Sequence, residues 1–273
     1  MSRFADPAPP ARRRAIESLL GFWVDAGVDA LYADAPVDRT QRAERGAALP
    51  AVASRVATPP SPIAPSPIAP SGDPQAIRRL TEAALDLDTL RESATAYLRE
   101  SLDVAFPVFW RGATEAAVIV VGDAPGADDE AAASPFAGPA GRLLDRMLAA
   151  AGLTDRALIT HTVFWRLPGD RAPTAAEQAI CAPFLERAIA LVGPRALLLT
   201  GAGAAKAMLG REEPILSLHG RWLEWRSADG KLELPALPTL SPAFLLRQPM
   251  AKAKSWSDLL TLSERIDRPH RPD

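Results

Sequence analysis

The chain has very little cysteine. Its 273 residues include only Cys181, which excludes an internal disulfide framework and any metal site built from several cysteines. Long hydrophobic runs are also missing, since no apolar stretch approaches the roughly 20 residues that span a bilayer. The first residues, MSRFADPAPPARRR, lack the apolar segment of a secretory signal. We therefore expect a cytoplasmic protein that does not contact membranes.

A strong excess of charge of one sign is missing as well. The formal net charge is −2, so the total charge does not indicate a nucleic-acid partner. The distribution is uneven, because residues 134–262 hold 15 lysines and arginines against 11 acids, a net charge of +4. This local excess permits DNA binding without requiring it.

The standard glycine-rich phosphate loops are absent too. GDAPG at 122–126 lacks the G-x-G-x-x-G spacing, and Pro125 removes an amide that a phosphate would use. GAGAAKAMLG at 201–210 lacks the Gly-Lys-Ser/Thr ending of a P-loop. Exposed amides of Gly201 and Gly203 could hold one phosphate at a helix start, but a turn of small residues needed for close packing explains this pair equally well.

The N-terminal part differs in composition from the rest. Residues 12–32 carry apolar side chains at helical spacing, which predicts an accessory helix within 1–35 that needs a partner surface, such as another protein. A Pro-, Ala- and Ser-rich segment with a SPIAP repeat follows at 36–75 and predicts a mobile linker. We expect the main domain at 76–262 and a flexible tail at 263–273.

Short apolar runs alternate with helical stretches in the main domain. Strands are predicted for AAVIVVG, RALITHTVF, PRALLLTG, SLHGRWLEW and LPALPTL, and helices for GRLLDRMLAAAGL, TAAEQAICAPFLERAIALV and KAKSWSDLLTL. This alternation predicts an α/β fold, a three-layer sandwich with a central, mainly parallel sheet. Ligands bind beyond the carboxyl ends of such strands, where four segments lie: 122–136, 161–173, 201–206 and 240–247.

Several blocks of this domain resemble one family, and they occur in the family's order. They read GDAPG, PFAGPAG, ITHTVFWRLPGDR, CAPFLERAI, GAGAAKAMLG, LHGRW and SPAFLLR. The family is that of the family-4 uracil-DNA glycosylases, the iron–sulfur type within the uracil-DNA glycosylase superfamily, and the resemblance covers about residues 85–262. It implies the fold of that superfamily and the removal of uracil from DNA, for which the base must leave the stack and enter a pocket.

The resemblance implies a base pocket built from the first two blocks. Phe136 matches the aromatic residue that stacks on uracil in the family. Asp123 matches a glutamate that positions the attacking water, and its side chain is one methylene shorter. Gly122 and Ala124 flank Asp123 and are expected to contact the base with it. The alternative for Phe136 is a core aromatic.

Two further positions depart from the family pattern. His161 stands where the family has an asparagine that reads uracil, and a neutral imidazole also offers one donor and one acceptor. Ser241 stands where the family has a histidine that donates to the base oxygen as negative charge develops. Because losing one such donor lowers a rate about 10²–10³-fold, we expect weak or altered excision, with Asp123, His161 and Ser241 as the catalytic residues. The alternative for His161 is a hydrogen-bonded residue of the rim.

The resemblance also places a group of residues beside the DNA: Gly201, Lys206, Arg221, Leu245, Leu246 and Arg247. The two leucines correspond to the loop that wedges into DNA beside the flipped base, and the cations are candidates for phosphate contacts. Solvated surface cations are the alternative for each of the three.

The family binds a [4Fe–4S] cluster through four cysteines, and such a cluster needs a thiolate on each iron. Here only Cys181 remains, because Trp165 stands at one ligand position and Tyr97 and Glu100 fall near two others. We expect no cluster, no other cofactor and no metal site. Aromatic side chains are expected to fill the space, with Cys181 acting as a small buried hydrophobe.

Three functions therefore stay open. The first is a divergent, cluster-free DNA glycosylase, expected to be a monomer, that hydrolyses the bond between a deaminated base and its sugar in single- or double-stranded DNA. The second is a DNA-binding or scaffold protein that kept the fold and lost the reaction. The third is a small-molecule binding protein that uses the same pocket. Excision of uracil from an oligonucleotide separates the first function from the other two.

Overall fold

A six-stranded sheet forms the centre of the domain, in a computed structural model that describes residues 74–267. Its strands are β1 (Trp110–Gly112), β2 (Val118–Gly122), β3 (Ala157–His161), β4 (Ala196–Thr200), β5 (Leu223–Arg226) and β6 (Glu233–Thr239). Their order across the sheet is β1-β3-β2-β4-β6-β5. The four central strands are parallel, and β1 and β5 pair antiparallel at the two edges. The predicted accessory helix, and the predicted linker up to residue 73, lie outside the described residues. Residues 74–75, predicted as the end of the linker, belong instead to the helix Pro74–Ala83.

Helices cover both faces of this sheet. They are α1 (Pro74–Ala83), α2 (Leu87–Leu102), α3 (Ala127–Ala132), α4 (Pro139–Ala150), α5 (Ala175–Val192), α6 (Ala202–Leu209), α7 (Ile215–Leu218), α8 (Pro242–Arg247) and α9 (Lys252–Asp267). Within residues 74–267 no helix is both long and apolar enough to cross a membrane.

Alternation along β2 explains the layered packing. Ile119 and Val121 point into the core shared with α1, α2, α5 and α6, whereas Val118 and Val120 point into the core shared with α4 and α9. All residues of β2 are buried, because successive side chains of a strand face opposite sides and both sides are covered. The predicted three-layer α/β sandwich is confirmed.

Three details differ from the sequence-based expectations. The strand predicted from SLHGRWLEW is confined to β5, because Ile215–Leu218 forms the short helix α7. The edge strand β1 was not predicted, since only three residues pair there. The closing helix α9 continues to Asp267, and its residue Ile266 is fully buried. Residues 263–267 therefore belong to the packed domain, and the prediction of a flexible tail from 263 is wrong for them.

The carboxyl ends of the four central strands meet at one edge of the sheet. β3 and β2 end side by side, with Gly122 paired to His161, and β4 and β6 end side by side, with Thr200 paired to Thr239. The four segments predicted to form a ligand-binding rim follow directly from these ends. The rim is thus assembled by neighbouring strands.

The rim segment after β3 is held in place by Glu177 of α5, whose side chain is 1% exposed. Arg171 donates two hydrogen bonds to this carboxylate, at 2.6 and 2.8 Å. The backbone N–H and the hydroxyl of Thr174 donate two more. The hydrogen bonds from Arg171, which outweigh the effect of burial, lower the pKa of Glu177 to about 2. The loop is thereby fixed to the first turn of the helix.

Candidate active site

Asp123 is the first residue beyond β2 and lies at the centre of the rim. Its carboxylate lies against Gly203 of α6, where a Cβ would collide with the carboxyl group. Its Oδ1 is buried and has no hydrogen-bond partner among the described residues. Burial raises the pKa of Asp123, and the nearby His161 acts in the opposite direction. The side chain of the next residue, Ala124, packs against the core shared with α1, α2, α5 and α6.

The rings of Phe136 and His161 are stacked directly beside Gly122. Their centroids are 4.6 Å apart and their planes differ by 18°. A Cβ at residue 122 would lie 2.5 Å from His161 Nδ1 and 2.6 Å from Phe136 Cζ, so glycine is needed for both rings to fit. Phe136 itself has a φ of 54°, a strained conformation for a non-glycine residue that is common at functional sites.

The side chain of His161 is almost fully enclosed, which does not suit a residue that reads a base. It is 3% exposed, its Nε2 lies 3.2 Å from Asp129 Oδ2, and its Nδ1 is buried without a hydrogen-bond partner in the described part of the chain. Neither ring nitrogen faces open space in this conformation. The alternative of a hydrogen-bonded rim residue describes this geometry better than base reading does.

Asp129 belongs to the candidate site and was not singled out from the sequence. Besides His161 it accepts hydrogen bonds from the backbone N–H groups of Gly126 at 3.0 Å and Ala137 at 2.7 Å. Burial alone would raise the pKa of Asp129, but the hydrogen bonds from His161, Ala137 and Gly126 outweigh it and lower the pKa. In the sequence, Asp129 could not be distinguished from Asp128 and Glu130, the adjacent acids in the segment between GDAPG and Pro-Phe.

Ser241 lies at the start of α8, and the residues that pack beside Ser241 and Asp123, Gly201 and Gly203, both lie at the start of α6. The hydroxyl oxygen of Ser241 accepts a hydrogen bond from the N–H of Phe244 at 3.3 Å and so caps α8. Gly201 packs beside it, because a Cβ at 201 would lie 3.1 Å from the Ser241 Cβ. The N–H of Gly201 donates to Thr239 O at 2.9 Å and the residue is buried. The expected phosphate contact at Gly201 is therefore wrong, and the close-packing alternative holds.

The predicted DNA-contacting side chains fall into two groups. Leu245 is 0% exposed, whereas Leu246 is 43% exposed, so the prediction of a wedge at Leu245 is wrong. Arg247 is exposed, and no ion pair involves it within residues 74–267. Lys206 and Arg221 are also exposed, but each forms an ion pair with an acid of the 212–213 pair, at 3.0 and 3.2 Å.

The positions that match cluster ligands lie in or beside the core shared with α1, α2, α5 and α6. Tyr97, Trp165 and Cys181 are 9%, 5% and 0% exposed and belong to one hydrophobic cluster. The ring of Tyr97 packs on Phe184, with centroids 5.9 Å apart, and Glu100 is exposed. Burial raises the pKa of the Cys181 thiol, which opposes the thiolate form that binds metals. These residues do not fit a [4Fe–4S] cluster.

Comparison with known proteins gives a consistent family. Residues 109–260 match the uracil DNA glycosylase superfamily model. The type-4 uracil-DNA glycosylase of Pyrobaculum aerophilum is 33% identical over 153 residues, which cover 54% of this chain and 77% of the relative. The enzyme of the same name from Thermotoga maritima is 32% identical over 142 residues, covering 51% and 71%. That from Archaeoglobus fulgidus is 30% identical over 158 residues, covering 56% and 78%.

Proposed function

Because the chain belongs to the uracil-DNA glycosylase superfamily, we propose that it is a cluster-free DNA glycosylase of reduced or altered activity. Its reaction is hydrolysis of the N-glycosidic bond of deaminated bases in DNA, with uracil as the first candidate. The observation that carries this proposal is the position of Asp123. Its carboxylate lies just beyond the carboxyl end of β2, near enough to His161 for the imidazole to affect its pKa, and His161 stacks on Phe136. Asp123 is thus placed to act on a water beside a base that has displaced His161 from Phe136.

Asp123 is assigned to the attacking water. The water oxygen forms a bond to the sugar carbon, the base leaves with the electron pair of the glycosidic bond, and the carboxylate accepts the water proton. A carboxylate whose pKa is raised by burial is a better base than an exposed one. Gly203 fixes its place by leaving room for the carboxyl group.

Ser241 is assigned to the departing base. Its oxygen already accepts from the Phe244 N–H, and its own hydrogen is left to donate to a base oxygen. A hydroxyl is shorter than an imidazole and carries no positive charge, so it stabilises the developing anion less. This assignment accounts for a rate below that expected with the histidine of the family.

The DNA side of the site is assigned to α8. Leu246 is the exposed apolar side chain of that helix and takes the place beside the flipped base. Arg247 follows it and contacts a phosphate, whereas Lys206 and Arg221 first have to leave their acidic partners. Exchange of Arg247 for alanine is expected to weaken binding to all sequences alike.

The test is an excision assay under single-turnover conditions. Single- and double-stranded oligonucleotides carry uracil, hypoxanthine or xanthine at one position, and abasic sites are detected as alkali-sensitive breaks. We expect slow excision of at least uracil. DNA affinity is measured alongside at several salt concentrations, because phosphate contacts give a linear dependence on the logarithm of salt.

One observation favours a second function, DNA binding without catalysis. The imidazole of His161 covers part of the Phe136 ring, which is the surface a base would use. Salt-dependent DNA binding with no abasic product from any base would favour this second function over the first.

We also propose that the protein carries no iron. Three of the four matched ligand positions hold Tyr97, Glu100 and Trp165, which are not cysteines, and the remaining thiol of Cys181 is fully buried. Elemental analysis of protein purified without chelator is expected to give far less than one iron per chain, and the visible spectrum to show no broad absorption. Four irons per chain with a brown colour would overturn this proposal.

A further inference from the structure

The imidazole of His161 covers one face of the Phe136 ring. The imidazole lies nearly parallel to the phenyl ring at 4.6 Å. Phe136 also packs against the core of α4 and α9. His161 is enclosed, at 3% exposure. In this conformation the imidazole occupies part of the surface on which a flat base would stack.

Asp129 holds the imidazole in this position. Its carboxylate accepts from His161 Nε2 and from the N–H groups of Gly126 and Ala137. An ionised carboxylate only accepts hydrogen bonds, so Nε2 carries the hydrogen and donates it. Asp129 therefore joins three segments: the turn after β2, the turn at Phe136, and the end of β3.

Gly122 closes the Nδ1 edge of the imidazole. Its Cα faces Nδ1 and the edge of Phe136 so closely that a Cβ would lie 2.5 Å from one and 2.6 Å from the other. The backbone of residue 122 therefore closes this edge of the two rings. Because Nδ1 has no hydrogen-bond partner among residues 74–267, the only polar contact that fixes the ring is the one to Asp129.

We propose that Asp129 is a positioning residue that holds His161 in the place of a substrate base. A base then reaches Phe136 only after the imidazole has left Asp129 and the phenyl ring. The inference rests on the proposed function, which gives Phe136 the stacking role. Binding of a base has to break the Phe136–His161 stack and the charge-assisted hydrogen bond from His161 to Asp129. Each of these losses lowers the affinity for the base.

The first test measures binding without turnover. The probe is a single-stranded oligonucleotide with 2′-fluoro-2′-deoxyuridine, a uracil nucleotide that resists hydrolysis, and the reference is the same strand with thymidine. Exchange of His161 for alanine frees Phe136, and we expect the preference for the probe over the reference to rise about tenfold or more. A folded H161A protein whose preference is unchanged overturns the inference.

The second test does not depend on glycosylase activity. The chain has three histidines, and nitrogen NMR of the labelled protein, assigned with H161A, reports which ring nitrogen of His161 is protonated. We expect a protonated Nε2 in slow exchange with water, lost on exchange of Asp129 for alanine, which leaves no side-chain acceptor, and kept on the matched exchange of the neighbouring, exposed Asp128 for alanine. An unprotonated or freely exchanging Nε2 in the unaltered protein overturns the inference. Base release is measured separately, and its absence with every substrate would refute the proposed function alone.

Discussion

Exchanging His161 for asparagine and Ser241 for histidine in the same chain is expected to raise uracil excision by orders of magnitude. The double variant rebuilds the base-reading amide and the donor that stabilises the departing base. Each preorganised donor of this kind is worth about 10²–10³ in rate. The asparagine also uncovers Phe136, because it cannot maintain the ring stack seen with His161. The measurement is the single-turnover rate on a uracil-containing oligonucleotide.

The single variants serve as the controls. We expect both changes to be needed, since residues that act on the same bound base are coupled. Ser241→His also removes the cap of α8, which costs about 1 kcal/mol of stability, so thermal unfolding is recorded for every variant. Because a Cβ at residue 201 would lie 3.1 Å from the Ser241 Cβ, a larger side chain at 241 requires that glycine be kept at 201.

Two outcomes of this exchange would contradict the roles proposed for His161 and Ser241. A double variant that folds, binds DNA and gains no activity would place the scaffold function ahead of the enzyme. If the unaltered protein already excises a base and the exchange abolishes that activity, then His161 is an adaptation to a different substrate.

Asp123→Asn is expected to lower excision about 100-fold while DNA affinity stays within a factor of two. The amide keeps the shape of the side chain beside Gly203 but cannot accept the water proton. A group that acts mainly in the transition state changes the rate more than the binding of the substrate. Single-turnover rates and dissociation constants are measured on the same oligonucleotide.

Asp128→Asn is the matched control for this change. It also removes one carboxylate from the segment after β2, yet Asp128 is exposed and lies outside the stacked pair. We expect its rate to match that of the unaltered protein. Equal losses in the two variants would show that overall charge, and not the position of Asp123, governs the reaction.

The fold could be predicted from the sequence because its pattern is local. The run VIVVG is apolar on both faces, which is characteristic of a strand covered by helices on both sides, and β2 has this environment. The rim followed from the same reasoning, since parallel strands end at one edge. The three-residue strand β1 has too little local pattern to be recognised.

The chemistry of the rim was harder to predict because it depends on contacts between distant segments. Asp129 and His161 are 32 residues apart, and nothing in the spacing indicates that an acid in α3 pairs with the last residue of β3. Phe136 was expected to be open to a base, but the stack with His161 forms only when both segments are folded. The family pattern identified Phe136 and His161 but not Asp129, and it could not supply the contacts among the three.

The two leucines of α8 show how one helical step changes a role. Leu245 and Leu246 are adjacent in the sequence, yet one is fully buried and the other is 43% exposed. Adjacent residues of a helix point about 100° apart, so the burial of one follows from the direction in which the helix packs. That direction is set by its contacts with the rest of the domain.

Release of the free base tests most directly whether the protein is a glycosylase that uses Asp123. The protein, in excess over a uracil-containing oligonucleotide, is incubated beside Asp123→Asn, and the released base is quantified by mass spectrometry. We expect free uracil in step with abasic sites, slowly with the unaltered protein and more slowly with the variant. DNA binding without free uracil, or release that is equally fast in both proteins, would contradict this expectation.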